Sequence, residues 1–89
     1  KNDRIRLLFI ASNYLYNYKN KTVYQKGLIH VLRSSEIASY HDNNEIAARL
    51  YSKLNDKENA KKYAEMALAF SKEHEIDTSN IEQFLKTLK

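Results

Sequence analysis

The chain has 89 residues, a formal net charge of +4, one glycine, no proline and no cysteine. Without cysteine, neither a disulfide nor a thiolate metal site can supplement the core, and the composition fits a reducing, cytoplasmic location. Small strand-rich domains need glycines in their turns, whereas lysine, glutamate, alanine and leucine favour helices. The composition therefore argues against a β-sheet protein and predicts one small all-α domain.

The excess positive charge lies in one half of the sequence. Residues 1–44 carry seven Lys or Arg against three Asp or Glu, whereas residues 45–89 carry eight of each. Such a basic half would attract an acidic partner, a nucleic acid or an anionic surface. The bias also fits an AT-rich genome, whose codons favour lysine, asparagine, isoleucine and tyrosine, and this is the simpler interpretation.

The first predicted helix runs from Asp3 to Tyr18. Its middle, Leu7–Ala11, is apolar on every side but far shorter than the roughly 20 residues that cross a bilayer. A helix that is apolar all round is normally buried on more than one face. Because the chain begins at Lys1 rather than methionine, we interpret it as a fragment of a larger protein. The helix then packs against a preceding repeat or against a second copy.

The second predicted helix runs from Thr22 to Tyr40. Thr22 and Gln25 have the spacing of a capping box, in which each side chain satisfies a free backbone N–H. Apolar and small residues then recur at intervals of four and three, which places them on one helix face. This predicted inner face consists of Tyr24, Leu28, Val31, Ser35 and Ala38.

Two further helices are predicted on either side of a tight turn at Asn55-Asp56. Asp42 with Glu45 opens the third helix, Asn44–Leu54, and Asp56 is a good N-cap for the fourth, Lys57–His74. Small residues on both helices indicate that their axes come close together. These residues are Ala47, Ala48, Ala60, Ala64 and Ala67.

The last predicted helix begins at Ser79, which has Glu82 three residues later as a second capping-box pair. Its apolar residues form a single stripe, and its opposite side is polar. One apolar face and one polar face are typical of a terminal capping helix. The stripe consists of Ile81, Phe84, Leu85 and Leu88.

The third and fourth predicted helices resemble a tetratricopeptide repeat, a helix–turn–helix unit of about 34 residues. Ala48 takes the small position of the first helix, and Tyr51 takes the aromatic position three residues later. Asn55-Asp56 stands in place of the usual Gly-Asp turn, which asparagine tolerates because it enters the left-handed conformation readily. Ala60 takes the first small position of the second helix, and Ala67-Leu68 matches the Ala-Leu pair near its end.

The resemblance covers residues 41–74 best. This segment departs from the family pattern at Asn44 and Ala47, and it lacks the closing proline. Residues 3–40 resemble the family more loosely, as a divergent repeat with a longer loop. Their correspondences are Ala11 and Tyr14 in the first helix and Gly27 in the second.

The resemblance implies a right-handed array of two antiparallel helix pairs, 3–40 and 41–74, closed by a capping helix at 78–89. It also implies a non-catalytic scaffold or regulatory module that binds a protein or peptide on the concave side. In the better-matched repeat the ligand-facing positions fall on Asp42, Glu45, Arg49, Ser52 and Lys53. In the looser repeat the candidates are Asn13, Tyr16 and Asn17.

A narrower resemblance is to the tetratricopeptide domains of peptide-sensing bacterial regulators, where asparagines on inner helices hold the backbone of a short signalling peptide. Asn13 and Asn17, one turn apart, match that role. Arg49 and Lys53 would meet a carboxylate, or they would be solvated charges beside Glu45. Their spacing does not reproduce the carboxylate clamp of chaperone-tail binders.

Catalytic and metal-binding patterns are absent from the sequence. His30, His41 and His74 lie on separate segments, with no HExxH or CxxC spacing. A single glycine excludes a Gly-rich phosphate loop. We therefore expect no enzyme activity, no metal and no cofactor.

Two other functions remain open. One is an oligomerisation or structural segment of a larger bacterial regulator of the peptide-sensing type, in which the apolar first helix packs on a missing repeat or on a second copy. Among Tyr14, Tyr16 and Tyr18, at least one must be exposed or covered by a partner, since residues two apart lie about 200° round a helix. The other is weak nucleic-acid binding through charge alone. Its candidate residues are Arg4, Arg6, Lys19, Lys21, Lys26 and Arg33.

Overall fold

The computed structural model describes residues 3–88, which form five α-helices and no strand. The prediction of an all-α domain is therefore confirmed. Within the described residues the Cα atoms extend over 35 × 32 × 19 Å. The helices are α1 (Asp3–Asn17), α2 (Lys21–Ile37), α3 (His41–Lys53), α4 (Lys57–Glu73) and α5 (Ser79–Thr87).

The start of α2 differs from the prediction. Asn20, not Thr22, is the N-cap, and its side-chain oxygen accepts the backbone N–H groups of Thr22 at 2.8 Å and Val23 at 3.2 Å. Asparagine is among the best N-cap residues because its short amide reaches free N–H groups in the first turn. The helix also ends earlier than predicted, because Ala38 already has an extended backbone (φ −161°, ψ 119°).

The start of α3 is likewise earlier than predicted, at His41 rather than Asn44. The Asn43 side chain accepts the N–H of Tyr40 at 3.0 Å, which closes the first turn. Asp42 therefore lies inside the first turn, where the positive end of the helix dipole stabilises a carboxylate.

The turn between α3 and α4 agrees with the prediction. Asn55 has the left-handed conformation (φ 63°), and Asp56 is the N-cap that accepts the Asn59 N–H at 3.1 Å. The Asn59 side-chain amide also donates to Asp56 at 2.8 Å. Together these bonds, first from the side chain and then from the backbone of Asn59, hold the pKa of Asp56 below its ordinary value.

The predicted capping box of Ser79 and Glu82 is wrong. The N-cap position of α5 is Thr78, whose hydroxyl donates to Glu82 at 3.0 Å. Asp77 accepts both the backbone N–H of Ser79 at 3.0 Å and its hydroxyl at 2.7 Å. Because these bonds favour the charged carboxylate, they lower the pKa of Asp77.

The helices pack around α3, which contacts α1, α2 and α4, while α1 also contacts α2, and α4 contacts α5. One core cluster joins α1, α2 and α3, and a second joins α3, α4 and α5, with Tyr63 packed against both. The first contains Ala11, Leu15, Tyr24, Val31, Ile46, Ala47 and Leu50; the second contains Ala48, Ala64, Ala67, Ile81 and Phe84.

The buried face of α2 is rotated from the predicted one. Gly27 and Ser34 are buried with Tyr24 and Val31, whereas the predicted Leu28, Ser35 and Ala38 are only half-buried. The physical reason is the close approach of three helices at Gly27. A Cβ placed there would be 3.3 Å from the Tyr14 Cβ and 3.4 Å from a Leu50 methyl.

Helix α1 buries one face in this chain. Leu7, Ala11 and Leu15 are buried, whereas Phe9 and Tyr16 on the other side are 70% and 64% exposed. The expectation that the first helix is buried on more than one face is therefore not met within the described residues. The expectation that at least one tyrosine of this helix is exposed is confirmed.

Candidate functional site

A groove of about 610 Å³ lies between the C-terminal ends of α1 and α3, and we call it the α1–α3 groove. The first residues of the α1–α2 connection, Tyr24 of α2 and Phe84 of α5 also line it. Its lining residues are Leu15, Tyr16, Asn17, Tyr18, Lys19, Tyr24, Arg49, Ser52, Lys53 and Phe84.

Five of the seven predicted partner-binding residues line this groove, although they come from two helices far apart in sequence. The five are Tyr16, Asn17, Arg49, Ser52 and Lys53.

The two other predicted residues, Asn13 and Glu45, lie outside the lining and hold residues that belong to it. The side-chain amide of Asn17 donates to the Asn13 oxygen at 2.6 Å. Glu45 accepts from the Nε of Arg49 at 3.0 Å, and its Oε2 lies 2.9 Å from Nη2 of the same guanidinium. Asn13 and Glu45 therefore orient groove residues in this structure.

Arg49 is the most constrained charge of the groove. It is about one-quarter exposed, pairs with Glu45, and its guanidinium carbon lies 4.9 Å from the centre of the Phe84 ring. A cation over an aromatic face is attracted by the ring quadrupole. The salt bridge and the ring together hold the guanidinium in one orientation.

Asp42, which the family pattern also placed toward a ligand, has another contact. Its carboxylate accepts two hydrogen bonds from the Arg4 guanidinium, at 2.9 and 3.3 Å. Arg4 in turn lies over the Tyr40 ring at 4.3 Å. Asp42 thus ties α3 to α1 and is not among the groove residues.

Phe84 is a groove residue that the sequence did not assign to any partner site, and Tyr18 and Lys19 were not among the predicted peptide-binding residues. Lys19 lies in the connection after α1, where helix periodicity does not say which way a side chain points. Phe84 reaches the groove from α5, and no local signal gives the angle at which that helix approaches. The available sequence signals are the positive charge of Lys19 and the expectation of an exposed tyrosine near the end of the first helix, to which Tyr18 belongs.

A second hollow of about 480 Å³ adjoins the α1–α3 groove and shares Arg49 and Phe84 with it. The two hollows therefore lie side by side on the stacked pair of Arg49 and Phe84, and we call them together the concave surface. The residues added by the second hollow are Asn80, Gln83, Lys86 and Thr87.

In residues 3–88, no group of three or more His, Cys, Asp or Glu could hold a metal ion. No helix of that range is long and apolar enough to cross a membrane. His30 contacts Tyr14 edge-on, and His74 stacks on Phe70 with ring centres 4.0 Å apart, so both rings have packing contacts.

Comparison with family models, with curated proteins and with solved structures finds no match to this chain.

Proposed function

We propose that this chain is a non-catalytic module that binds a peptide or a segment of a partner protein in the α1–α3 groove. The observation that carries the proposal is the arrangement of five candidate residues along the α1–α3 groove. They are Tyr16 and Asn17 of α1 and Arg49, Ser52 and Lys53 of α3. Aromatic rings, amides and cations together suit the recognition of a polypeptide, since rigid rings and arginine dominate binding energy at interfaces.

The proposal includes a tetratricopeptide-like arrangement of helix pairs 3–40 and 41–74, with α5 as the cap. Three-residue connections join α1 to α2, α2 to α3 and α3 to α4, and such short connections favour antiparallel neighbours. Contact of α1 with α3 as well as α2 fits stacked pairs whose first helices lie side by side. Small residues at close approaches, such as Gly27 and Ala48, support the same arrangement.

A peptide selection tests the proposed function. Random peptides displayed on phage are selected on the chain, and the enriched peptides are then measured against two alanine variants. Tyr16→Ala removes a groove ring, and Phe9→Ala removes a similarly exposed ring from the same helix outside the groove. We expect Tyr16→Ala to weaken binding by about tenfold or more and Phe9→Ala to leave it unchanged.

The opposite result would contradict the proposal. If no peptide is enriched, or if both variants bind the enriched peptides equally well, the groove is not a peptide site. Thermal unfolding of each variant shows whether the fold is retained.

Self-association through α1 is the second candidate function. Ile5, Phe9 and Tyr16 form an exposed apolar line on one side of the helix, with Ser12 between the last two. Such a line is typical of a surface that contacts another helix. Light scattering over a range of concentrations separates the candidates. A mass that rises with concentration, and falls to that of a monomer in Phe9→Glu, favours self-association; a constant monomer mass opposes it.

A further inference from the structure

The charged side chains that line the concave surface, which consists of the two adjoining hollows, are all positive. It contains four cationic side chains, and none of the described residues that line it is acidic. The cations come from three separate segments: the loop after α1, the C-terminal half of α3, and α5. They are Lys19, Arg49, Lys53 and Lys86.

Three of these cations are exposed lysines. Within residues 3–88 the ion pairs involve Arg4, Arg6 and Arg49, so Lys19, Lys53 and Lys86 have no carboxylate within 4.0 Å there. Exposed like charges around a hollow with low-dielectric walls focus a positive potential into it. The charge of Arg49 is balanced by Glu45, but the lysines leave the surface positive.

The neutral residues that line the concave surface favour an acidic polypeptide over a small anion. Asn17, Asn80 and Gln83 carry side-chain amides, each of which can donate to a peptide carbonyl and accept from a peptide N–H. Tyr16 and Tyr18 are exposed rings beside them. A ligand that uses both sets of groups has a backbone, an apolar side chain and negative charge.

A nucleic acid fits the basic residues less well. Arg4 is held by Asp42 and is only 12% exposed. Lys26 and Arg33 lie on α2 and are not among the lining residues of the concave surface. Phosphate-backbone binding depends on many cations along one track, and here the basic residues are divided among separate surfaces.

We propose that the natural ligand of the concave surface is an acidic peptide segment, with Asp or Glu residues on either side of an aromatic or aliphatic residue. This inference rests on the proposed function, because it names the chemistry of the ligand at the same site. The acidic side chains lie near Lys19 and Lys53 of the α1–α3 groove and near Lys86 of the adjoining hollow, and the apolar residue contacts the ring of Tyr16 or Tyr18.

Three pools of fluorescent peptides test the inference. Each peptide has about ten residues, which span roughly 33 Å when extended, similar to the 35 Å length of the molecule. The pools have the same tyrosine and leucine positions and differ only in the remaining residues, which are acidic, neutral or basic. We expect the acidic pool to bind at least about tenfold more tightly than the neutral pool at low salt, with the difference decreasing as salt is added.

A matched pair of charge reversals locates the binding. Lys53 and Lys72 are both exposed lysines in the last turn of a helix, but only Lys53 lines the concave surface. We expect Lys53→Glu to weaken acidic-pool binding by about tenfold, and Lys72→Glu to leave it within about twofold. Any cost of placing an acid near the negative helix end is common to both variants.

The outcomes show whether the ligand chemistry alone, or the peptide site as well, is wrong. If the neutral or basic pool binds as tightly as the acidic pool and Tyr16→Ala weakens that binding, the ligand chemistry is wrong but the peptide site remains. If no pool binds, both are wrong. If an oligothymidylate of similar length binds more tightly than the acidic pool and Lys53→Glu abolishes its binding, the ligand is a nucleic acid and the inference is overturned.

Discussion

At the scale of single residues, the half-buried ion pair between Arg4 and Asp42 connects the start of α1 to the start of α3. The guanidinium makes two hydrogen bonds to the carboxylate and lies over the Tyr40 ring, and only 12% of the Arg4 side chain is exposed. A charge with so little access to water depends on its partner, because removing the partner leaves the desolvation cost uncompensated.

We predict that Asp42→Asn lowers the free energy of unfolding by about 1–2 kcal/mol. Asp3→Asn is the matched control, because Asp3 is also in the first turn of a helix and pairs with an arginine, but both partners are about two-thirds exposed. Its effect should stay below about 0.5 kcal/mol. Urea unfolding measures both values. Equal effects would show that the Arg4 pair contributes no more than a surface pair.

We expect Tyr51 to make the free energy of unfolding decrease at alkaline pH. Burial raises its pKa, with smaller contributions from Tyr63 and Asp56, and its ring stacks on Tyr63 with centres 5.5 Å apart. Below the ordinary tyrosine pKa near 10 both folded and unfolded states keep the phenol neutral. Above it the unfolded state loses its proton first, so the stability contributed by the neutral phenol falls as pH rises through the raised pKa.

Replacing Tyr51 by Phe removes this titration. We predict that the melting temperature of Tyr51→Phe falls less steeply than that of the parent chain between about pH 9 and 11. Tyr16→Phe is the control, since Tyr16 is 64% exposed. Thermal unfolding followed by circular dichroism gives both slopes, and the account is contradicted if the Tyr51→Phe and parent slopes agree.

At the scale of helices, Gly27 marks the place where α1, α2 and α3 come closest. A larger side chain there meets the Cβ of Tyr14, which is fixed to the backbone of α1, so the helices themselves must separate. Alanine costs little on balance, because its higher helix propensity, about 1 kcal/mol over glycine, offsets a tight contact at 3.3 Å.

We predict that Gly27→Leu lowers the free energy of unfolding by about 2–3 kcal/mol, as overpacking of a core does. Gly27→Ala should change it by less than about 1 kcal/mol. Urea unfolding of the two variants gives the comparison. A Gly27→Leu protein as stable as the parent would mean that α2 does not pack closely on its neighbours.

The presence of the five helices could be predicted from the sequence, whereas the residues at which they begin could be predicted only in part. Asp56 was the clear cap before α4, and that start was predicted correctly. Before α2 and α5, by contrast, neighbouring residues could each act as a cap: Asn20 or Thr22 in one case, and Asp77, Thr78 or Ser79 in the other. Which oxygen reaches a free N–H depends on the backbone path into the helix, and this is set by tertiary packing.

The residues that line the α1–α3 groove could likewise be predicted only in part. Tyr16, Asn17 and Lys53 could be named from the sequence because they lie on regular helices, where the spacing of residues gives the side of the helix. Lys19 and Phe84 could not, because one lies in a connection and the other reaches the groove through the docking of α5.

At the scale of the whole molecule, α3 lies between two core clusters, and the surface from α1 to α5 follows from that position. Ala47 and Leu50 belong to the first cluster, Ala48 to the second, and Arg49 reaches the concave surface from the same turn. The packing that stabilises the fold therefore also holds Arg49, Ser52 and Lys53 in place.

The measurement that tests the central claim most directly is a nuclear magnetic resonance titration of the isotopically labelled chain with the acidic peptide pool. We predict that amide shifts concentrate at Asn17, Lys19, Ser52 and Lys53, and that the exposed residues Phe9 and Ile29 stay unchanged. Shifts centred on Phe9, or no shifts at saturating peptide, would contradict the assignment of the α1–α3 groove as the binding site.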